Sequence, residues 1–233
     1  MNTSFDQRQQ RFWADSTNLR RYDHPVVQMF AEQRVEYLAR LFGAWSPTSA
    51  LDVGCGDGVG MYYMRRITTR IQGCDRSATM LEANPAPPTS LKRCDAYQLP
   101  YEDGQFELVY CWELLHHVGR PELVVREMTR VASKAVLVCE PNCINPAMAL
   151  FGLVKAEERG LFRFTPWYTK QLLVAAGLTA IRWSTGGCVA PNRMPEVIAR
   201  PLAKLPYHIP VVGLSTIALG YKTSPEFPSR AIS

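Results

Sequence analysis

The segment Leu51-Asp52-Val53-Gly54-Cys55-Gly56-Asp57-Gly58 is where this sequence most clearly prepares for chemistry. Apolar residues run straight into three glycines. Glycine lets the chain turn sharply and lets backbone approach a ligand with no Cβ between them. A cofactor of nucleotide type needs that close approach. The dinucleotide pattern G-x-G-x-x-G fails in both registers: counted from Gly54 its third glycine falls on Val59, and from Gly56 on Met61. Asp52 and Asp57 repel a pyrophosphate and suit a cofactor that carries positive groups. The alternative is an ordinary glycine-rich turn.

Two further acids stand at the ends of apolar runs. Asp75 lies 21 positions after Gly54, where an acidic residue accepts hydrogen bonds from ribose hydroxyls in nucleotide-binding α/β folds. The alternative is a capping role for a helix that starts at Ser77. Asp95 ends the next run, and its carboxylate, with the Ala96 N–H, suits an adenine edge; the alternative is a turn-forming aspartate. Adenosine bearing a sulfonium and an ammonium, S-adenosylmethionine (SAM), meets the demands of the whole set.

The elements that hold these residues alternate from about residue 25 onward. Pro25–Phe42 has apolar residues at helical spacing and a stop at Gly43. Strands are expected at Ser49–Val53, Arg70–Cys74, Leu91–Cys94, Phe106–Cys111, Ala135–Cys139, Thr179–Trp183 and Leu214–Tyr221. Helices are expected at Met61–Ile67, Ser77–Ala83, Pro121–Val131 and from Thr165-Pro166 to Gly177. This rhythm predicts a Rossmann-like α/β fold. Its sheet is seven-stranded and mostly parallel, helices cover both faces, and one domain carries two insertions. Residues 1–45 form an N-terminal helical cap, 46–140 the cofactor half, and 141–233 the substrate-side half. The irregular insertions at 141–165 and 186–212 are expected to act as lids over the carboxyl ends of the strands.

The ordered set resembles the class I SAM-dependent methyltransferases, and within them the small-molecule group that includes ubiquinone and menaquinone biosynthesis methyltransferases (methyltransferase type 11). Its residues are the glycine segment, Asp75, Cys94-Asp95-Ala96 with Leu99-Pro100-Tyr101, and Phe106-Glu107-Leu108-Val109 followed by Leu115-His116-His117-Val118. The resemblance spans roughly residues 25–183. It implies that Gly54 and Gly56 line the methionine part of SAM, that Asp75 meets the ribose, and that Cys94, Asp95 and Ala96 meet the adenine with Met80 packed on it. Asp52, Cys55 and Arg76 are further cofactor-binding candidates. Cys111 then faces the methionine amine or the reacting methyl. Tyr22 and Trp13 are candidates to close over the cofactor, with packing as the equal alternative. Glu107 and the bulky pair Trp112-Glu113 depart from the family pattern.

Methyl transfer from SAM is an in-line displacement, so the protein mainly aligns an acceptor behind the methyl. An oxygen acceptor of high pKa also needs a base, and histidine suits neutral pH. Neighbours in sequence point apart, so at most one of His116 and His117 faces the site. His116 is the candidate base and His117 the second candidate, mainly structural; that both are structural is the alternative. The 141–165 insertion is rich in apolar and aromatic residues, which suits a hydrophobic or aromatic acceptor. Trp112, Glu140, Asn142, Phe164 and Trp167 are the candidate acceptor contacts. S-adenosylhomocysteine (SAH) is the expected product.

Composition bounds the rest. The chain has 233 residues, 47% hydrophobic and 20% charged, enough for one sizeable core. Its net charge of +5 is not gathered into a block, so a nucleic-acid face is not expected. The seven cysteines form no CxxC pair and residues 1–20 are polar, which fits a reducing cytoplasm. Cys139 and Cys143 have no His/Cys partner pair nearby, so no metal is expected. No apolar run is long enough for a transmembrane segment. A monomer or homodimer with a small-molecule acceptor is expected; RNA or protein methylation and a non-catalytic SAM-binding regulatory subunit are the alternatives.

Overall fold

The structure, a computed structural model, describes residues 4–14, 19–190 and 194–222. Seven strands form one sheet: β1 (Ala50–Val53), β2 (Ile71–Asp75), β3 (Leu91–Arg93), β4 (Phe106–Trp112), β5 (Ala132–Pro141), β6 (Thr179–Gly186) and β7 (Ser215–Tyr221). Their order is β3-β2-β1-β4-β5-β7-β6. The first five are parallel, and β7 runs antiparallel between β5 and β6. The mostly parallel Rossmann-like sheet is therefore as expected. The order reverses between β1 and β4, and ligands in such sheets bind in the crevice outside that point.

Side chains alternate across each strand, and this splits the core in two. Leu108, Tyr110 and Trp112 of β4 join one cluster, packed by α2 (Pro25–Phe42) and α3 (Val59–Met64). Val109 and Cys111 join the other, packed by α5 (Pro121–Val131) and α7 (Pro166–Ala175). In α5, Val124, Val125, Met128 and Val131 are buried at helical spacing. Glu122 in its first turn and Arg130 in its last complement the helix dipole. In α4 (Ala78–Ala83) the Ser77 hydroxyl caps the Met80 N–H, as its sequence predicts.

Ser4–Ala14 forms a helix, α1, within the segment expected to be a helical cap; it has few apolar residues and hence little periodic signal. Two segments differ from expectation. The 141–165 insertion is ordered as α6 (Pro146–Val154) followed by a 3-10 segment, Ala156–Arg163. Residues 186–212 hold α8 (Glu196–Leu202), which packs on α2; positions 191–193 of this expected lid lie outside the described residues.

The 3-10 segment is pressed against the turn after β4. A Cβ on Gly160 would lie 1.7 Å from the backbone oxygen of His116, so any larger residue must push the two segments apart. Gly160→Ala is expected to destabilise the protein by about 1–3 kcal/mol in urea denaturation, and to speed proteolysis within 141–165.

Candidate active site

The glycine segment folds into a cradle at the carboxyl end of β1. Gly54, Gly56 and Gly58 all have positive φ (72°, 49° and 86°), a region L side chains rarely enter. The cradle is held down by Gly54 and Cys55 N–H groups, which donate to Cys74 O at 2.8 and 3.0 Å. Asn84, which carried no signal in the sequence, completes it. Its amide donates to Gly56 O at 3.1 Å and sits where a side chain on Gly58 would go.

The strand-end acids line this cradle. Asp75 accepts from Gly56 N at 2.9 Å and Ser77 N at 2.8 Å. It thus ties the loop to α4 while facing the pocket. Burial raises its pKa, and those backbone N–H groups oppose the rise. Asp95 accepts from Tyr97 N at 3.0 Å and lines the pocket beside Ala96. Asp52 is the exception: it is buried, and neither carboxylate oxygen is hydrogen-bonded. Burial holds its pKa well above the ordinary carboxylate range, against the Tyr110 hydroxyl beside it. An unpaired buried carboxylate is costly without a partner. It lines the cradle, the side from which a ligand cation would reach it. The residues present therefore fit the expected cofactor.

The opposite wall is the turn after β4. Glu113 adopts a left-handed φ of 57°, which costs about 1–3 kcal/mol in a non-glycine residue. Two arginines hold it there: Arg34 at 3.0 Å, fully buried in α2, and Arg20 at 2.9 Å. Burial works against the Glu113 charge, but Arg20 and then Arg34 outweigh it and lower the pKa to about 2. The next residues are fixed by Glu140 at the end of β5. Its carboxylate accepts from the N–H groups of Leu114, Leu115 and His116 at 3.0, 2.7 and 3.2 Å.

The structure places the two histidines the other way round from expectation. His116 turns away from the pocket and bridges Glu140 (Nδ1, 2.7 Å) and Glu158 (Nε2, 3.1 Å). Burial disfavours its charge, but Glu140 and then Glu158 raise its pKa to about 10. A protonated imidazole with both nitrogens engaged is not a base. His117 lines the pocket. Its Nδ1 lies 3.1 Å from Gln9 Oε1 of α1, and Gln9 Nε2 donates to Glu157 O. That orientation of Gln9 puts the proton on Nδ1 and leaves Nε2 as an acceptor. Burial, and then the charge on His116, lower the His117 pKa to about 3. Together with Glu158 these histidines place ligand atoms within 4.8 Å of one another, but His116 and Glu158 are spent on each other.

Helix α1 roofs the pocket. Asp6 accepts from Tyr97 Oη and Gly119 N, both at 2.8 Å. The carbonyls of Trp13 and Ala14 accept from Ser77 and Thr79, and the Trp13 ring packs edge-on against His117 at 5.1 Å.

Of the expected cofactor residues, Asp52, Gly54, Cys55, Gly56, Asp75, Arg76, Met80, Cys94, Asp95 and Ala96 line one pocket, with Trp112 and His117. Cys111 does not: strand parity turns it into the core under α5 and α7. Tyr22 packs on Tyr62 at 4.4 Å, outside the pocket. The expected acceptor contacts after Trp112 are also elsewhere. Glu140 builds the turn, and Asn142 holds the carbonyls of Val211 and Gly213 at 2.6 and 2.9 Å. Phe164 is core and Trp167 is exposed. Gln9, Arg20, Glu113 and Leu114 line the pocket as well.

The buried pair also sets a pH dependence. Glu158 is lowered to about 2, because His116 overcomes the burial that opposes its charge. His116 is raised, so its contribution is complete below pH 6.5 and lost toward about 10; Glu158 is depressed, so its contribution is complete above pH 4.5 and lost toward about 2. Unfolding free energy is expected to fall as pH rises from 6.5 to 10. Glu158→Gln should be less stable at pH 6 by about 1.5–3 kcal/mol and show a shallower alkaline decline; an unchanged urea midpoint across pH would refute the pairing.

Comparison with known proteins agrees with this geometry. Residues 51–139 match the family described as methyltransferase domain. A ubiquinone biosynthesis O-methyltransferase of Psychrobacter arcticus is 32% identical over 149 residues, covering 55% of this chain and 58% of that protein. The chain thus spans little more than half the length of that curated relative. A Thermotoga maritima SAM-dependent methyltransferase, described as a possible histamine N-methyltransferase, superposes with a TM-score of 0.64 at 15% identity, covering 85% of this chain and 92% of that one. The plantazolicin methyltransferase BpumL, solved with SAH, gives 0.57 at 15% identity over 94% and 95%; at such identities the likeness concerns the fold. The matched segment carries the glycine cradle and all three strand-end acids, so this chain resembles the class I SAM-dependent methyltransferases and, among them, the small-molecule O-methyltransferases.

Proposed function

We propose that this chain transfers the methyl group of SAM to a small hydrophobic or aromatic acceptor of natural-product, quinone or lipid-like type. The observation that carries the reading is the unpaired Asp52 carboxylate at the closed end of a cradle already fitted with Asp75 and Asp95, under a roof made by α1. A roofed pocket suits a small acceptor better than a folded RNA or a protein surface.

SAM, when bound, supplies a methyl group activated on a sulfonium, and a neutral thioether leaves. The chain's own part is placement. Asp52 receives the ammonium, Asp75 the ribose hydroxyls, and Asp95 with Ala96 the adenine. Glu113, held anionic by Arg20 and Arg34, fixes the turn that forms one wall of the pocket. Trp112, Trp13 and the roof supply apolar surface to the acceptor. His117 Nε2 accepts a hydrogen bond from an acceptor hydroxyl and so aims its lone pair. With a pKa lowered to about 3, it orients the hydroxyl rather than removing its proton in advance. His116 keeps the turn in place through Glu140 and Glu158.

Two outcomes follow. Asp75→Ala should weaken SAM and SAH binding by calorimetry at least about tenfold, the loss expected for a charge-assisted pair of hydrogen bonds. His117→Ala should lower kcat by about 10–100-fold with cofactor binding nearly unchanged, and the wild-type kcat should show no histidine titration between pH 5 and 9.

The direct test is transfer of labelled methyl from SAM into an extract of the source cells. Label in the organic-soluble fraction supports the reading. Label in RNA or protein overturns it in favour of a macromolecular acceptor. Binding of SAM with no transfer to any fraction points to a non-catalytic subunit.

A further inference from the structure

Helix α1 brings one uncharged polar side chain to the pocket histidine. Gln9 is buried under the roof and lines the pocket beside His117. The two ends of its amide have different partners. Nε2 donates to the Glu157 carbonyl at 2.6 Å, and Oε1 lies 3.1 Å from His117 Nδ1. A carbonyl can only accept, so the Glu157 contact decides which end of the amide faces the histidine. Turning the amide over would set two oxygens against each other at Glu157. The backbone of the 3-10 segment therefore orients the amide, and the amide decides which imidazole nitrogen carries the proton.

The residue type matters as much as its place. A carboxylate here would stabilise a positive charge on the ring, as it does in triads where histidine is the base. A carboxamide selects the tautomer and adds no charge. The surroundings act in the same sense. The charged groups that face His117 are His116 and Glu113 of its own turn, Glu158 of the 3-10 segment and Arg20 before α2. Glu158 is paired with His116, and Glu113 with Arg20 and Arg34. From α1 the ring meets Gln9 and the edge of Trp13, while Asp6 is engaged by Tyr97 and Gly119. None of these acids is left to hold a second proton on His117.

We propose that Gln9 is a positioning residue for the methyl acceptor: it keeps the proton on His117 Nδ1, so that Nε2 offers a bare lone pair and the pocket prefers acceptors that bring a hydroxyl hydrogen to it. This rests on the role proposed for His117. It also makes α1 a working part of the acceptor site, because the tautomer is set by a side chain of the roof.

The test is nitrogen NMR of the full chain, labelled in its histidine rings and with SAH bound, between pH 5 and 9. Comparison with His117→Ala identifies the His117 signals. The expected wild-type spectrum shows Nδ1 protonated and Nε2 unprotonated throughout. Gln9→Leu should move the proton to Nε2, the form favoured by a free imidazole, and Gln9→Glu should bring a His117 titration into this range; melting temperatures confirm that both variants fold. In the labelled-methyl assay Gln9→Leu should lower transfer about tenfold with SAM binding nearly unchanged, and adding it to His117→Ala should cost nothing more. The proposal is overturned if wild-type His117 carries its proton on Nε2 or on both nitrogens, if Gln9→Leu leaves the tautomer as it is in wild type, or if the losses from Gln9→Leu and His117→Ala multiply. The spectrum needs no methyl acceptor, so the expected tautomer in a chain that transfers no label counts against the proposed function and not against the role of Gln9 on His117.

Discussion

A single buried carboxylate sets the geometry on which the site depends. Glu140 is inaccessible to solvent at the end of β5 and accepts three consecutive N–H groups from the turn after β4 as well as the His116 ring. Those N–H groups have no strand partner once the chain leaves the sheet, and unpaired donors in the interior are expensive. Glu140 answers them together, and in doing so fixes the direction in which residues 113–117 leave β4. Glu113 and His117 reach the pocket because His116 is pinned on the other side.

From there the restraint passes outward. His116 takes Glu158, Glu158 brings the 3-10 segment, and that segment gives its Glu157 carbonyl to Gln9 of α1. The roof over the cofactor cradle is thus tied to the sheet through a chain of charged and polar contacts. The pattern is electrostatically economical: Glu113 is matched by Arg20 and Arg34, and His116 by Glu140 and Glu158. Asp52 alone stands buried without a hydrogen bond among the cradle acids. The one carboxylate that the scaffold leaves unmet is the one that the proposed function gives to a ligand cation.

The fold was legible in the sequence because parallel strands and their glycine turn leave local marks. The strand positions, the cradle and the acids at 52, 75 and 95 all rest on short-range pattern, whereas the order of the strands does not. What failed rests on long-range or orientational facts. Strand β4 is buried on both faces and reads as one apolar run, so the sequence carries no sign that Cys111 points away and Trp112 toward α2. The orientation of His116 away from the pocket rests on Glu140 and Glu158, 24 and 42 residues further on. Helix α1 is too polar to show a stripe, and its contacts with Tyr97, Gly119 and His117 appear only in three dimensions.

The apolar residues of 141–165 show the same limit from the opposite side. Their composition suggested a surface meant for a hydrophobic molecule, and sequence could not say which way they face. The structure turns the buried part, Leu161 and Gly160, onto the turn after β4, and leaves Leu150, Leu153 and Val154 outside. The inner side carries the close approach to His116 and the contact with α1. The outer side carries no contact with the pocket. The approach at Gly160 leaves no room for even a methyl group, so the side of the insertion that sequence composition did not single out is the side the fold constrains most tightly.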